Sequence, residues 1–462
     1  MTTFDTIIIG AGWAGAVAAR QLSRSGRKVL VLEARDRVGG RAHTWVHGSN
    51  AVDIGCSWIH GYKEGNPARS IAEELGINCH FPKPAEPGLY SSTGALPKET
   101  AVALGRALNS AVAAARTPHP APEPTESLAS SLFAKDSALF KSGVVGDDTA
   151  KDFARTLEVP LGLRLEKASA RWAGWEAATN FTGSDAAPDG GYEALVQRLL
   201  DDAMANGAQV RINTKVTSIK EGDGGVDVTV AAGEKYTGKT AISTIPLGVL
   251  KRSLDMFSPA LPDRYIEVVK GVHVGVLEKL LMRYAEAWWP KADTTGAYTF
   301  LPTGPAPTES SSALDVFEGS TLIVANFAAG TLPPGASPIL LAYLSETPAT
   351  ALLKMPADEV GAAFHEFLQK RFEMQGPKPE EVQLTGWLND EFSRGATTTP
   401  SVTSQGERSP LDFKELSRPV WDGKLGWAGE HTEMENRGSV AGAVISGMRE
   451  ASRVERLLKK GV

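Results

Sequence analysis

Three consecutive β-branched residues, Ile7-Ile8-Ile9, run directly into Gly10, Gly12 and Gly15, and there the hydrophobic pattern changes period. The apolar run predicts a strand, and the small-residue pattern from Ala16 to Leu22 predicts a helix. A second apolar run, Lys28 to Leu32, predicts another strand that delivers Glu33. Residues 67 to 116 read mostly as helix, with an alanine-rich stretch from Ala101 to Ala115. Thr117 to Ser127 is a proline-broken loop, and helical pattern resumes to about Ala178. Pro188-Asp189-Gly190-Gly191-Tyr192 marks a boundary before an amphipathic helix, Glu193 to Asn206. From Val210 to Ile245 apolar and polar residues alternate between turn glycines, which predicts hairpins. A second mixed segment spans about 269 to 385, with proline- and serine-rich loops at Leu301 to Ser312 and Leu332 to Pro338. The chain closes on a glycine-punctuated strand-to-helix unit, Leu425 to Lys459, and no internal repeat is present.

The order strand, glycine turn, helix, strand, acid gives each residue of the opening a physical task. Gly10 permits the tight turn, Gly12 lets the backbone approach a pyrophosphate, and Gly15 lets helix and strand pack closely. The helix N-terminus offers free N–H groups and a positive dipole end to phosphates. Glu33 stands where an acid accepts the ribose hydroxyls of an adenosine. A glycine triplet alone also occurs in unrelated α/β turns; the flanking strands and the acid favour dinucleotide binding. The continuation, Glu33-Ala34-Arg35-Asp36-Arg37-Val38-Gly39-Gly40-Arg41, adds a second glycine turn and an arginine able to lie along a diphosphate.

Composition narrows the field. The chain has 462 residues, 42% hydrophobic and 22% charged, which suits a globular protein of two or three domains. A net charge of −6 argues against a nucleic-acid surface. Two cysteines, Cys56 and Cys79, exclude a disulfide framework and fit a reducing compartment. No apolar run has the ~20 residues of a membrane span, and no signal peptide is evident, so the expected location is the cytoplasm. His43 and His47 lack supporting ligands, and no metal site is expected. Neither a P-loop nor a G-x-S-x-G elbow is present.

The extended E-A-R-x-R-x-G-G-R pattern resembles the FAD-binding domain of the glutathione-reductase-like flavoproteins. Four further blocks widen the resemblance to nearly the whole chain: DIGCSWIHG with Asn66-Pro67, STIPLGVLK, Leu277-Glu278-Lys279-Leu280 leading to Trp288-Trp289-Pro290, and WAGEHT through GSVAGAVISGMREASRV. Together they resemble the flavin-containing amine oxidases, and the second block looks most like the polyamine-oxidase branch.

The resemblance implies an α/β fold, with a glutathione-reductase-like FAD-binding Rossmann domain and a mixed sheet-plus-helices substrate domain. The first would comprise residues 1–68, 188–268 and 386–462, the second 69–187 and 269–385. Gly10, Gly12, Gly15, Glu33 and Arg41 would hold the ADP half of FAD, and the Val216 backbone would meet the adenine. Glu430 would accept a hydrogen bond from the diphosphate–ribitol region. Val440 would aim a backbone N–H at the flavin's pyrimidine edge. Trp387 matches a family tryptophan near the flavin, although a core aromatic is nearly as good a reading.

Lys279 is the main catalytic candidate. Most lysines are solvated, but this one stands among Val276, Leu277, Leu280, Leu281 and Met282. The family places it near flavin N5 through a water, where it promotes reaction with oxygen. His60 matches a position beside the substrate, against the plainer reading of a structural histidine. Glu64 is a candidate for polyamine selection, although a solvated loop acid is the simpler reading. Covalent members tether flavin through a cysteine; the matching block, Ser393 to Thr397, has Ala396 there, so FAD is expected to be non-covalent. Thr397 and Ser439 stand where monoamine oxidases place two aromatic rings beside the amine; Trp172 or Trp175 are candidates to replace them.

The implied reaction oxidises an aliphatic amine, a polyamine or a long-chain primary amine, to an imine that hydrolyses to a carbonyl, while O2 becomes H2O2. The alternatives are an L-amino-acid oxidase of the same fold, which needs an arginine for the carboxylate, an oxygen-avoiding dehydrogenase, and a binding or demethylase-type module. The partners implied are a small-molecule amine and O2. The sequence assigns no oligomeric state.

Overall fold

The computed structural model describes residues 3–460 except 117–121, 142, 174–180, 333–334, 404–405 and 408. Trp175 and part of the proline-broken loop lie outside the described residues.

Two sheets organise the chain. The larger has eight strands, in the order Phe257–Ser258, Val216–Gly222, Gly225–Val230, Lys235–Ser243, Thr3–Ile9, Val29–Leu32 and Gln209–Arg211. The eighth, Leu425–Trp427, pairs with Lys235–Ser243. Thr3–Ile9 runs parallel to both of its neighbours. Its side chains divide by parity: Ile8 enters one core, and Ile7 and Ile9 enter another. Burial on both faces is why this strand reads as an unbroken apolar run. The Ile8 face is covered by the helices Trp13–Arg24, Gly191–Ala205 and Val440–Lys459. The first of these meets the third closely: a Cβ at Gly447 would lie 2.5 Å from the Ala14 carbonyl oxygen.

The second sheet has seven strands, in the order Glu381–Leu384, Glu278–Arg283, Ile339–Leu344, Leu322–Asn326, Thr295–Phe300, Glu86–Ser91 and Gly94–Ala95. One face packs on the helices Ala313–Glu318 and Ala357–Phe372. The other packs on the hairpin Thr44–His47/Asn50–Asp53 through Trp45 and Val52. Alternation along Glu278–Arg283 decides a functional matter. Leu280 and Met282 face the helices, whereas Leu281 faces the hairpin, so Lys279 points the same way, toward Asp53.

The expectation of helix across 67 to 116 needs correction. Helices occupy Pro67–Glu74 and Lys98–Arg116, but Cys79–His80, Glu86–Ser91 and Gly94–Ala95 are strands. Pro82, Pro84, Pro87, Gly88 and Gly94 break helical hydrogen bonding there, and Glu86–Ser91 gains a parallel partner in Thr295–Phe300. The hairpins beyond Val210 and the terminal strand-to-helix unit form as predicted.

Candidate active site

The glycine loop opens onto a cleft of about 420 Å³. Gly10 has φ of +106°, and a Cβ on it would meet Thr244 Oγ1 at 2.3 Å. Gly12 and Gly40 line the cleft, and a Cβ at Gly12 would have only the Gly39 carbonyl nearby, at 3.6 Å, so a side chain there would grow into the open space. Gly15 does not line the cleft; a Cβ on it would lie 2.0 Å from the Gly10 carbonyl oxygen, which is the close-packing role. Arg37 fixes the second glycine turn by donating to the carbonyls of Val38, Gly40 and Ala42. A groove floored by bare backbone at the start of a helix suits a diphosphate.

The other expected cofactor residues gather around this cleft, with refinements. Glu33 lines it, buried, and accepts from the N–H groups of Ala11 (2.7 Å) and Arg35 (2.9 Å). Each carboxylate oxygen keeps a further lone pair for a hydroxyl. Val216 and Val440 line the cleft, and Val440 opens a 20-residue helix. Arg41 and Glu430 pair with each other at 2.8 Å, and Arg41 also donates to the Ala396 carbonyl. Glu430 additionally accepts from Thr398 Oγ1 (2.7 Å) and Gly438 N–H (3.0 Å). Burial alone would raise its pKa, but the nearby Arg41 charge and these hydrogen bonds hold it below the ordinary value. Its role is therefore first to join three segments of the cleft wall. Trp387 lies behind the wall, where Nε1 donates to the Ile54 carbonyl at 3.3 Å and the ring meets His43 edge-on.

A second cavity, about 260 Å³, shares Gly438, Ser439 and Val440 with the first. His60, Thr397 and Ser439 line it. His60 is 61% exposed, and its Nδ1 pairs with Asp185 at 2.9 Å. Thr397 donates to the Gly438 carbonyl at 3.2 Å. Ser439 caps the helix by accepting from Gly442 N–H at 3.1 Å. Neither position carries a ring, but Trp58 and Phe181 line the same cavity, and Trp172 is not part of its wall. Glu64 is exposed and lines neither cavity, in keeping with a solvated loop acid.

Lys279 sits behind the wall formed by residues 53–57 and is only 4% exposed. Its Nζ donates to Asp53 O (2.9 Å), Gly55 O (2.6 Å) and Ser57 Oγ (2.6 Å), and lies 5.4 Å from the centre of the Tyr343 ring. Burial pushes its pKa down to about 8, against the opposing pull of Asp53. Burial likewise raises Asp53 to about 6, although Thr44 Oγ1 and Tyr192 N–H both donate to it. The neighbouring Glu278 has no exposed surface and accepts from Thr385 Oγ1, Trp387 N–H and Leu388 N–H, which anchors the chain beside the lysine.

Asp185 and Arg437 escaped the sequence reading. Arg437 lines the second cavity, is 5% exposed, and donates to the Thr398 carbonyl. It lies one residue before the terminal glycine motif, which was the available signal. Asp185 is 125 positions from His60 and has no local signal. Cys56 lines the cofactor cleft; burial pushes its thiol up to about 12, so it is not a thiolate.

The glycine-floored cleft, the cavity that adjoins it and the buried Lys279 held by residues 53–57 suit a dinucleotide-dependent oxidoreductase. The model of the flavin-containing amine oxidoreductases matches residues 13–455. The chain belongs to that family: it is a flavin-dependent amine oxidoreductase whose cofactor is non-covalent FAD. It is 27% identical over 471 residues to polyamine oxidase 3 of Oryza sativa subsp. japonica, covering 97% of this chain and 88% of the relative. It is 30% identical over 466 residues to lysine-specific histone demethylase 1 homolog 3 of Oryza sativa subsp. indica, covering 97% of this chain but 53% of the relative. Among solved structures it is similar to putrescine oxidase bound to putrescine, with a TM-score of 0.74, 22% identity, and 98% and 99% of the two chains covered.

Proposed function

We propose that this chain oxidises an aliphatic amine, a polyamine or a long-chain primary amine, to an imine that water hydrolyses to a carbonyl compound, with O2 reduced to H2O2. The observation that carries this reading is the second cavity, which meets the cofactor cleft at Gly438, Ser439 and Val440, while Lys279 is held by residues 53–57 beside Cys56 of the cleft lining. When bound, FAD supplies the two-electron acceptor that takes a hydride equivalent from the amine's α-carbon and passes the electrons to oxygen.

In this reading Gly10, Gly12, Glu33, Arg41, Val216, Glu430 and Val440 hold the cofactor, Gly15 lets the helix pack against the glycine turn, and Trp387 supports the wall behind it. The first turn of the helix Val440–Lys459 offers its positive dipole end to negative charge at the cleft. His60, Thr397 and Ser439 face the substrate. Glu64, being exposed, contributes at most to the approach. Lys279 provides positive charge or a proton donor for reduction of oxygen, an electrostatic task favoured by its burial. The reacting amine must be neutral, since an ammonium has no lone pair with which to expel hydride. The described lining of the second cavity carries hydroxyls, amides, His60 and Arg437, which suits an amine bearing neutral hydrogen-bonding groups better than a polycation.

Residues 1–68, 188–268 and 386–462 then form the FAD-binding domain, and 69–187 with 269–385 the substrate domain. The strands of the larger sheet fall in the first set and those of the smaller in the second, which supports that division. Among the described residues no helix is long and apolar enough to cross a membrane. Cytoplasmic location is part of the proposal, supported by two unpaired cysteines.

A peroxide assay tests the reading against aliphatic amines, diamines and polyamines, L-amino acids and alkylated lysine peptides. Turnover is expected with the aliphatic amines. A preference for L-amino acids would replace the reading with an amino-acid oxidase, a possibility that Arg437 in the cavity wall makes worth an arm of the panel. A preference for the peptides would favour the demethylase-like relatives.

A further inference from the structure

The three N–H donors of a lysine ammonium are all engaged at Lys279, and all three acceptors come from one five-residue stretch, 53–57. The acceptors are not equivalent. Two are backbone carbonyls, and that backbone has no room to shift: a Cβ at Gly55 would lie 2.1 Å from the Arg41 carbonyl oxygen. The third, Ser57 Oγ, turns about a single bond. Its own proton has alternative acceptors in the carbonyls of Asp53 (3.4 Å) and Gly55 (3.3 Å). The flanking residues face different spaces, Cys56 the cofactor cleft and Trp58 the second cavity.

We propose that Ser57 is a positioning residue for Lys279. Its hydroxyl fixes the ammonium behind the wall of residues 53–57, where Cys56 faces the cofactor cleft and the adjacent Trp58 the second cavity. It is also the one partner that turns away without backbone movement, freeing an N–H toward that wall. The inference rests on the assignment of Lys279 to the oxygen half of the reaction. The groups facing the ammonium are the Asp53 carboxyl, the Cys56 thiol and the Tyr343 ring. Burial places the first near 6 and the other two near 12, so between pH 7 and pH 10 Lys279 is the group among them that changes charge.

The test compares wild type with Lys279→Met, Ser57→Ala and Ser57→Thr. Stopped-flow mixing with oxygen measures the oxidative step from pH 6.5 to pH 10.5, and denaturant unfolding of the holoenzymes at one pH completes a Ser57→Ala/Lys279→Met double-mutant cycle. Wild type is expected to show a pH-dependent fall that Lys279→Met lacks. Loss of an acceptor for the charged form moves that fall about one pH unit lower in Ser57→Ala. Ser57→Thr, which keeps the hydroxyl, restores it, and the unfolding effects are non-additive. Retention of the fall in Lys279→Met overturns the lysine assignment and this inference with it. Loss in Lys279→Met, together with an unmoved midpoint in Ser57→Ala or an additive cycle, overturns the Ser57 inference alone.

Discussion

The two cavities that meet at the start of the helix Val440–Lys459 are built from different material. The cofactor cleft is floored by backbone: Gly12, Gly39 and Gly40 line it, and its charges, the buried Glu33 and Glu430 and the half-buried Arg41, are fixed by backbone N–H groups, carbonyls or one another. The second cavity is walled by side chains drawn from five separate stretches: Trp58 to Ala68, Pro160, Phe181, Thr397 with Thr399, and Asn436 to Ala441. Backbone surfaces fix what class of molecule fits, because no substitution leaves them in place with new chemistry. Side-chain walls are free to change their ligand while the fold persists.

The sharpest way to break this contrast is Gly12→Val. A side chain there enters the cleft, so the purified variant is expected to carry no flavin absorbance; a stoichiometric yellow protein would show that backbone approach is not required. Glu430→Ala comes next. It strips Arg41, Thr398 and Gly438 of a shared partner and leaves a half-buried guanidinium with the Ala396 carbonyl but no carboxylate. A loss of about 3 kcal/mol in the denaturant-unfolding free energy is expected, and a change below ~1 kcal/mol would remove Glu430 from its joining role.

The third prediction concerns pH. Lys279 titrates near 8 in the fold against 10.5 for the ordinary group, so between those values the unfolded chain binds the additional proton. Stability from this group therefore rises with pH across that window, by on the order of 3 kcal/mol. Asp53, raised from 3.8 to about 6, acts oppositely and makes stability fall as pH rises through that lower window. Unfolding measured against pH should show the upper rise in wild type and not in Lys279→Met; equal slopes would contradict the buried charge. The smallest effect belongs to the side-chain cavity. With Thr397 and Ser439 in place of rings, kcat/KM for benzylamine is expected to fall about tenfold below that for a long aliphatic amine. Equal values would show that Trp58 and Phe181 do the work of the missing rings.

The same contrast governs what the chain's letters reveal. The glycine loop, its strand and Glu33 lie within a few tens of residues, and backbone geometry demands those residue types, so pattern and spacing are visible. Lys279 stood out because an ammonium in an apolar strand is costly. The His60–Asp185 pair joins residues 125 apart and needs no special composition, so nothing local marks it. The strands between Cys79 and Ala95 were hidden by flanking helical pattern, since each depends on a partner: Cys79–His80 on Ala187–Pro188, Glu86–Ser91 on Thr295–Phe300, and Gly94–Ala95 on Glu86–Ser91. Glu64 had the right residue type beside a motif, but its side chain turns to solvent.

Arg41 and Glu430 are 389 positions apart, and the strand Leu425–Trp427 pairs with Lys235–Ser243 at the heart of the larger sheet. A ribosome delivers residues from the N-terminus at roughly 5–20 per second, so about 20–80 s separate the emergence of the glycine loop from that of its last wall. Over that interval the nascent chain displays the glycine loop and Glu33 without the Glu430 carboxylate that pairs with Arg41. Pairing of Arg41 with Glu430 therefore waits until the later stretch has emerged.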